Sequence, residues 1–147
     1  MTSQVITYKS PDNIYNILLK LHYVTRTDRV IYKLSLNGSI LIDRSFNDSA
    51  IWSVNSRYFA IQEWIEPCDI FDSLQAYSYN NSLTVFDFFQ GRECQLIKLS
   101  GGNVVPRFFE NSKIIYTKEI ILGLIKEYEI DLEKLDRWKK SPLLLSS

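Results

Sequence analysis

The strongest constraint on how this chain folds lies in residues 30–43. Val30, Tyr32, Leu34 and Leu36 alternate with Ile31, Lys33 and Ser35; Asn37-Gly38 follows, and Ser39-Ile-Leu-Ile-Asp43 runs back. Strict alternation places successive side chains on opposite faces of a strand. Asn-Gly tolerates the positive φ of a type I′ turn, whose twist matches that of adjoining antiparallel strands. A hairpin here makes antiparallel sheet the expected framework.

The pattern continues down the chain. Strands are expected at 50–54 and 57–64 around Asn55-Ser56, and at 74–79 and 82–89 across Asn80-Asn81. Further strands are expected at 92–99 after Gln90-Gly91, and at 104–109 and 113–117 across Asn111-Ser112. Segments 57–64, 74–79, 82–89 and 92–99 predict a four-stranded meander, and Pro67 makes 65–73 a connection or an edge strand.

Two segments carry a helical period instead. Ser10 can cap, Pro11 fits the first helical position, Asp12 suits the positive helix end, and Ile14, Ile17, Leu18 and Leu21 share one face. Ile121, Leu124, Ile125, Tyr128, Leu132, Leu135 and Trp138 approximate another face, against which Tyr128, Ile130 and Leu132 also alternate like a strand and Gly123 interrupts. The reading is a sheet-dominated α+β fold in a single domain, 1–147. It has a helix at 10–24, an antiparallel strand-rich core at 30–117, a helix at 119–140 and a tail at 141–147.

Trp52-Ser-Val-Asn-Ser-Arg-Tyr-Phe-Ala-Ile61 and Asn103-Val-Val-Pro-Arg-Phe-Phe-Glu-Asn-Ser-Lys-Ile-Ile-Tyr116 share a strand, turn, strand order. Leu83-Thr-Val-Phe-Asp-Phe-Phe-Gln-Gly91 supplies an apolar run ending in Asp before a Gly turn. Over about residues 30–117 the chain resembles the blade repeats of β-propellers. The resemblance implies an antiparallel meander of one to two propeller-like blades. A closed propeller needs four or more blades of about 40 residues, more than 147 residues supply.

Composition narrows the function classes. The chain is 46% apolar and 14% aromatic with five Gly and four Pro, which excludes disordered and low-complexity behaviour. Seventeen basic residues balance seventeen acidic ones, so no global charge favours nucleic acid or an anionic membrane. The richest apolar run, Ile120-Ile-Leu-Gly-Leu-Ile125, is too short to cross a bilayer, and the N-terminus does not resemble a signal peptide. A cytoplasmic location is expected. Cys68 and Cys94 have neither redox nor metal spacing, and with His22 as the single imidazole no metal site or other cofactor is expected.

Catalysis finds little purchase. His22 could serve as a general base oriented by Asp12 or Asp28, but its place at a predicted helix end suits a structural role equally. No serine sits in a nucleophile elbow, and Cys68 lacks a cationic neighbour.

Charge is uneven along the chain. Residues 61–100 hold two basic and six acidic groups, concentrated in 63–72. There Glu63, Glu66, Asp69 and Asp72 interleave with Trp64, Ile65, Ile70 and Phe71. Aromatic anchors ringed by carboxylates suit a basic protein surface. These eight residues form the expected partner-binding site of a non-catalytic protein-binding module, one version being an immunity-type or inhibitory protein that masks a basic partner. Two alternatives stay open: a small hydrolase or metal-dependent enzyme using the clustered carboxylates, and a structural protein that self-associates through a sheet edge.

Overall fold

The computed structural model describes residues 4–25, 29–65, 80–120 and 123–144. Twelve strands are found among them: β1 (Val5–Lys9), β2 (Asn16–Val24), β3 (Val30–Leu36), β4 (Ser39–Ile40), β5 (Ser45–Trp52), β6 (Tyr58–Trp64), β7 (Asn80–Asp87), β8 (Arg92–Ser100), β9 (Gly102–Glu110), β10 (Lys113–Ile120), β11 (Leu124–Asp131) and β12 (Lys139–Lys140). The main sheet runs β1-β2-β3-β5-β6-β7-β8-β12 with β4 beside β3, and the second runs β11-β10-β9. All pairings are antiparallel.

The α+β expectation is overturned, because both predicted helices are replaced largely by strands. At 10–24, the helix-capping residues build a tight turn instead. Ser10 Oγ accepts from Tyr15 N (3.0 Å), Asp12 Oδ1 accepts from Ile14 N (3.0 Å), and Asn13 takes φ 65°. Side-chain oxygens that cap helix amides satisfy turn amides equally well. β2 then leaves this turn antiparallel to β1, burying Ile17 and Leu19 at a spacing of two.

At 119–140, Gly123 (φ 78°) lies in a turn between β10 and β11, which pair from Lys113 opposite Asp131 to Ile120 opposite Leu124. The helical content here is one 3-10 turn, Leu132–Lys134. Asn80-Asn81 is likewise not a turn but the start of β7, facing Ser100 and Leu99 of β8. The expected strand 74–79 lies outside the described residues.

The main sheet curls on itself. Tyr8 of β1 packs its ring 5.7 Å from Phe59 of β6, and Trp52 Nε1 of β5 donates to the Tyr8 carbonyl at 3.1 Å. Inside the curl, Ile17, Leu19, Tyr32, Leu34, Phe46, Phe59, Ile61 and Phe86 form one core, joined by Leu143 from the tail. The three-stranded sheet contributes to a second core, where Tyr58, Ala60, Val85 and Leu96 meet Val104, Ile114, Tyr116 and Leu132. Adjacent β6 residues thus serve different cores, which explains its continuous apolar run Tyr58-Phe-Ala-Ile61.

The two sheets join at Gly101 (φ 76°). The buried Asn81 carboxamide secures the joint, donating to Gly102 O (2.6 Å) and accepting from Val104 N (2.9 Å) and Gln62 Nε2 (2.9 Å).

Candidate functional site

The expected site at 63–72 is divided by the structure. Glu63 is 6% exposed and Trp64 7% exposed. Glu63 takes both Nε and Nη2 of Arg44 at 2.8 Å and a hydrogen bond from Thr84 Oγ1 at 2.7 Å. Trp64 Nε1 donates to Val30 O (3.2 Å) beneath the Arg29 guanidinium, 5.2 Å from the ring centroid. Ile65 is half-buried and its amide donates to Asn80 O. Glu66, Asp69, Ile70, Phe71 and Asp72 lie outside the described residues, as do Cys68 and Asp28.

Other chemical candidates have structural surroundings. His22 is exposed on β2 with its ring edge-on to Tyr23, and Asp12 is engaged in the β1–β2 turn. Cys94 is buried, and burial pushes its thiol pKa up. No group of three potential metal-ligating side chains occurs among the described residues. No helix there is long and apolar enough to cross a membrane.

A different site forms where several loops meet at one end of the sheets. Asp12 N in the β1–β2 turn donates to Ser56 Oγ in the β5–β6 turn, and Phe88 N donates to Arg57 O. On the other side, Leu132 N donates to Ser112 O. Between the β5–β6 and β9–β10 turns lies a pocket of about 470 Å³, lined by Asn55, Arg57 and Tyr58 on one side and Phe109, Asn111 and Ser112 on the other, with Glu133 contributing to its wall. This volume falls in the range of ordinary ligand sites. Around it, Val54 is 87% exposed, and Phe89 and Ile14 stand exposed on the neighbouring turns.

No protein-family profile, curated protein or solved structure matches this chain.

Local geometry fixes each wall. Ser53 Oγ accepts from Tyr58 N (2.9 Å) while donating to Asn55 Oδ1 (2.7 Å), and Asn55 Oδ1 also accepts from Arg57 N (3.1 Å). Arg57 points two nitrogens at Asp87, Nε at 3.0 Å and Nη2 at 3.1 Å, and Arg92 Nε meets the same carboxylate at 2.8 Å. Burial pushes the Asp87 carboxyl up, but the two guanidinium groups outweigh it and hold the group below the ordinary carboxylate range. The Arg57 guanidinium also lies 4.9 Å from the Tyr58 ring centroid and 5.4 Å from that of Phe89. Tyr58 stacks on Phe109 (6.0 Å) and Trp138 (6.3 Å). Its hydroxyl is buried with no hydrogen-bond partner among the described residues.

The sequence carries matching turns at Asn55-Ser56-Arg57 and Asn111-Ser112-Lys113, with no local mark of a site at either. The structure sets these turns on opposite sides of one pocket, although their geometry differs: Ser56 carries positive φ (63°) in the first and Asn111 (56°) in the second. The shared turn chemistry was the available signal.

Proposed function

We propose that the chain is a non-catalytic protein-binding module that engages its partner through the loop end around the pocket. One observation carries this reading: a half-polar pocket, built by turns from both sheets, has strongly exposed apolar side chains at and beside it. Interfaces are organised in this way, with apolar anchors around a few placed polar groups. The buried carboxylates Glu63, Asp87 and Glu93 are held by arginines, a use that favours architecture over acid–base chemistry. An immunity-type role against a basic partner is the finer version; it rests on the acidic run through Asp72, since the charges near the pocket are mixed.

The test places a photo-crosslinking side chain at Val54 or, for comparison, at Leu124 across the length of the β10–β11 hairpin. The expected result is one defined protein adduct from position 54. That protein, once purified, should bind the unmodified chain stoichiometrically and lose about tenfold or more in affinity to Val54→Asp. Adducts from position 124 alone, or unchanged affinity for Val54→Asp, would overturn the assignment.

A further inference from the structure

We propose that the chain self-associates through the outer edge of β1, which pairs antiparallel with β1 of a second copy about a two-fold axis at Thr7. This contact is independent of the loop-end site.

β1 ends the main sheet, with β2 on one side and no strand on the other among the described residues. Its pairing with β2 shows which backbone groups face out. Leu21 N donates to Gln4 O and Ser10 N to Tyr15 O, so the even-numbered residues hydrogen-bond to β2. Val5, Thr7 and Lys9 therefore turn their N–H and C=O groups away from β2. Those groups make no hydrogen bond among the described residues, and all three residues are exposed. Such an edge is a template for a further strand.

The other edges are blocked against self-pairing. On β11, two-fold centres at Lys126, Glu127, Tyr128 and Glu129 set Lys126 on Lys126, Glu127 on Glu127, Glu127 on Glu129 and Glu129 on Glu129, like charge on like charge each time. β9 carries Pro106 and pairs with a register shift between Ile115 and Tyr116. β8 is covered at Arg92 and Glu93 by β12, and Arg137 donates to its Leu96 carbonyl. β12 is a pair of lysines. β1 has no proline, no register shift and one charge, Lys9.

Centred on Thr7, the pairing is complementary throughout. Thr7 meets Thr7 of the second copy, Val5 meets Lys9 and Ile6 meets Tyr8, so no charge faces its like and every outward residue gains a backbone partner. Behind Thr7, the row continues through Leu18, Ser35 and Ile40. Val5, Leu18 and Ile40 are exposed, and joining the edges gathers these aliphatic side chains from both copies onto one continuous sheet. The two β1–β2 turns then point in opposite directions, so each copy keeps its own loop end.

Sedimentation equilibrium of the full chain from about 1 µM to 1 mM tests the proposal. A contact made by one strand edge is small, so a reversible dimer with a dissociation constant on the order of micromolar or weaker is expected. Val5→Glu sets a carboxylate opposite Lys9 and should keep dimerisation within about threefold of wild type or tighten it. Adding Lys9→Glu sets Glu on Glu, a clash the two-fold repeats, and should weaken dimerisation about tenfold, whereas Lys9→Glu alone stays within about threefold. Thr7→Pro removes an outward N–H while sparing every β1–β2 hydrogen bond, and should leave a folded monomer. Matched melting temperatures show that the charge variants fold. A wild-type monomer at every concentration would give the edge to a strand of another protein and overturn the proposal. Assemblies larger than the dimer, or a double variant that dimerises like wild type, would overturn it as well.

Discussion

Arg57 and Asp87 form a two-pronged ion pair, with Nε to Oδ1 at 3.0 Å and Nη2 to Oδ2 at 3.1 Å, on a carboxylate with no exposed surface. The pair ties the β5–β6 turn to the end of β7 and orients the pocket's guanidinium.

Asp87→Ala leaves Arg57 and Arg92 without their shared counter-charge. Breaking a buried pair from one side costs about 3 to 5 kcal/mol, and the partial exposure of both guanidinium groups puts this case near 3. Denaturant unfolding should show that loss, together with weakened binding at the pocket because Arg57 is no longer held.

Acid should act through the same carboxylate. Its folded pKa lies below the ordinary 3.8, so its contribution is fully present well above that value and is lost as pH falls through the folded pKa. Melting curves of the wild type and Asp87→Asn should differ most near neutrality, begin to converge as pH falls below about 4, and meet only below the folded pKa. A constant difference down to strong acid would show that Asp87 does not stabilise through its charge.

Arg44 joins two buried glutamates, Glu63 through Nε at 2.8 Å and Glu93 through Nη1 at 2.7 Å. Burial depresses the guanidinium pKa, but these partners outweigh it and raise the value overall. Arg44→Met strands both carboxylates and should cost roughly 3 kcal/mol or more, whereas the Arg44→Met, Glu63→Leu, Glu93→Met triple variant should recover much of that stability. Chemical denaturation of the two variants provides the comparison.

Gly102 opens β9 of the three-stranded sheet, opposite Ile120 of β10 and just past the Gly101 joint with the main sheet. A Cβ there would lie 2.7 Å from the Glu119 carbonyl oxygen and 3.1 Å from Leu99 Cδ2. Gly102→Ala must push backbone apart, so a loss of about 1 to 3 kcal/mol is expected in thermal or denaturant unfolding. Gly91→Ala has open space around its Cβ and tests only the cost of its positive φ (64°), about 1 kcal/mol.

Some of the turns were legible in the sequence, though Asn80-Asn81 opens β7 instead and the turn after Ser10 read as a helix start. Asn37 (φ 51°) and Gly38 (φ 86°) both take the positive φ that a type I′ hairpin requires, and Asn111 and Gly91 mark two further reversals. The candidate site was legible only in part: Asn55 and Asn111 were visible as matching turns, while Tyr58 read as one more apolar strand residue. Nothing in the local pattern distinguished its hydroxyl from a core phenylalanine ring.

Residues 16–24 show the limit of local information. Ile14, Ile17, Leu18 and Leu21 satisfy a helical spacing, while Ile17 and Leu19 satisfy a strand spacing, so short-range periodicity could not choose. β1 and β3 decided, by offering hydrogen-bonding edges on both sides. Residues 124–131 were settled in the same way by β10.

Charge follows the same division. The sequence by itself determined an acidic excess in residues 61–100, and with it the expectation of a basic partner. Only the tertiary structure decided that three of those acids, Glu63, Asp87 and Glu93, pair with arginines of this same chain. Arg44 meets Glu93 across 49 positions and Arg57 meets Asp87 across 30. A local pattern fixes turn geometry because neighbouring residues create it; which distant charges become neighbours depends on how the sheet curls.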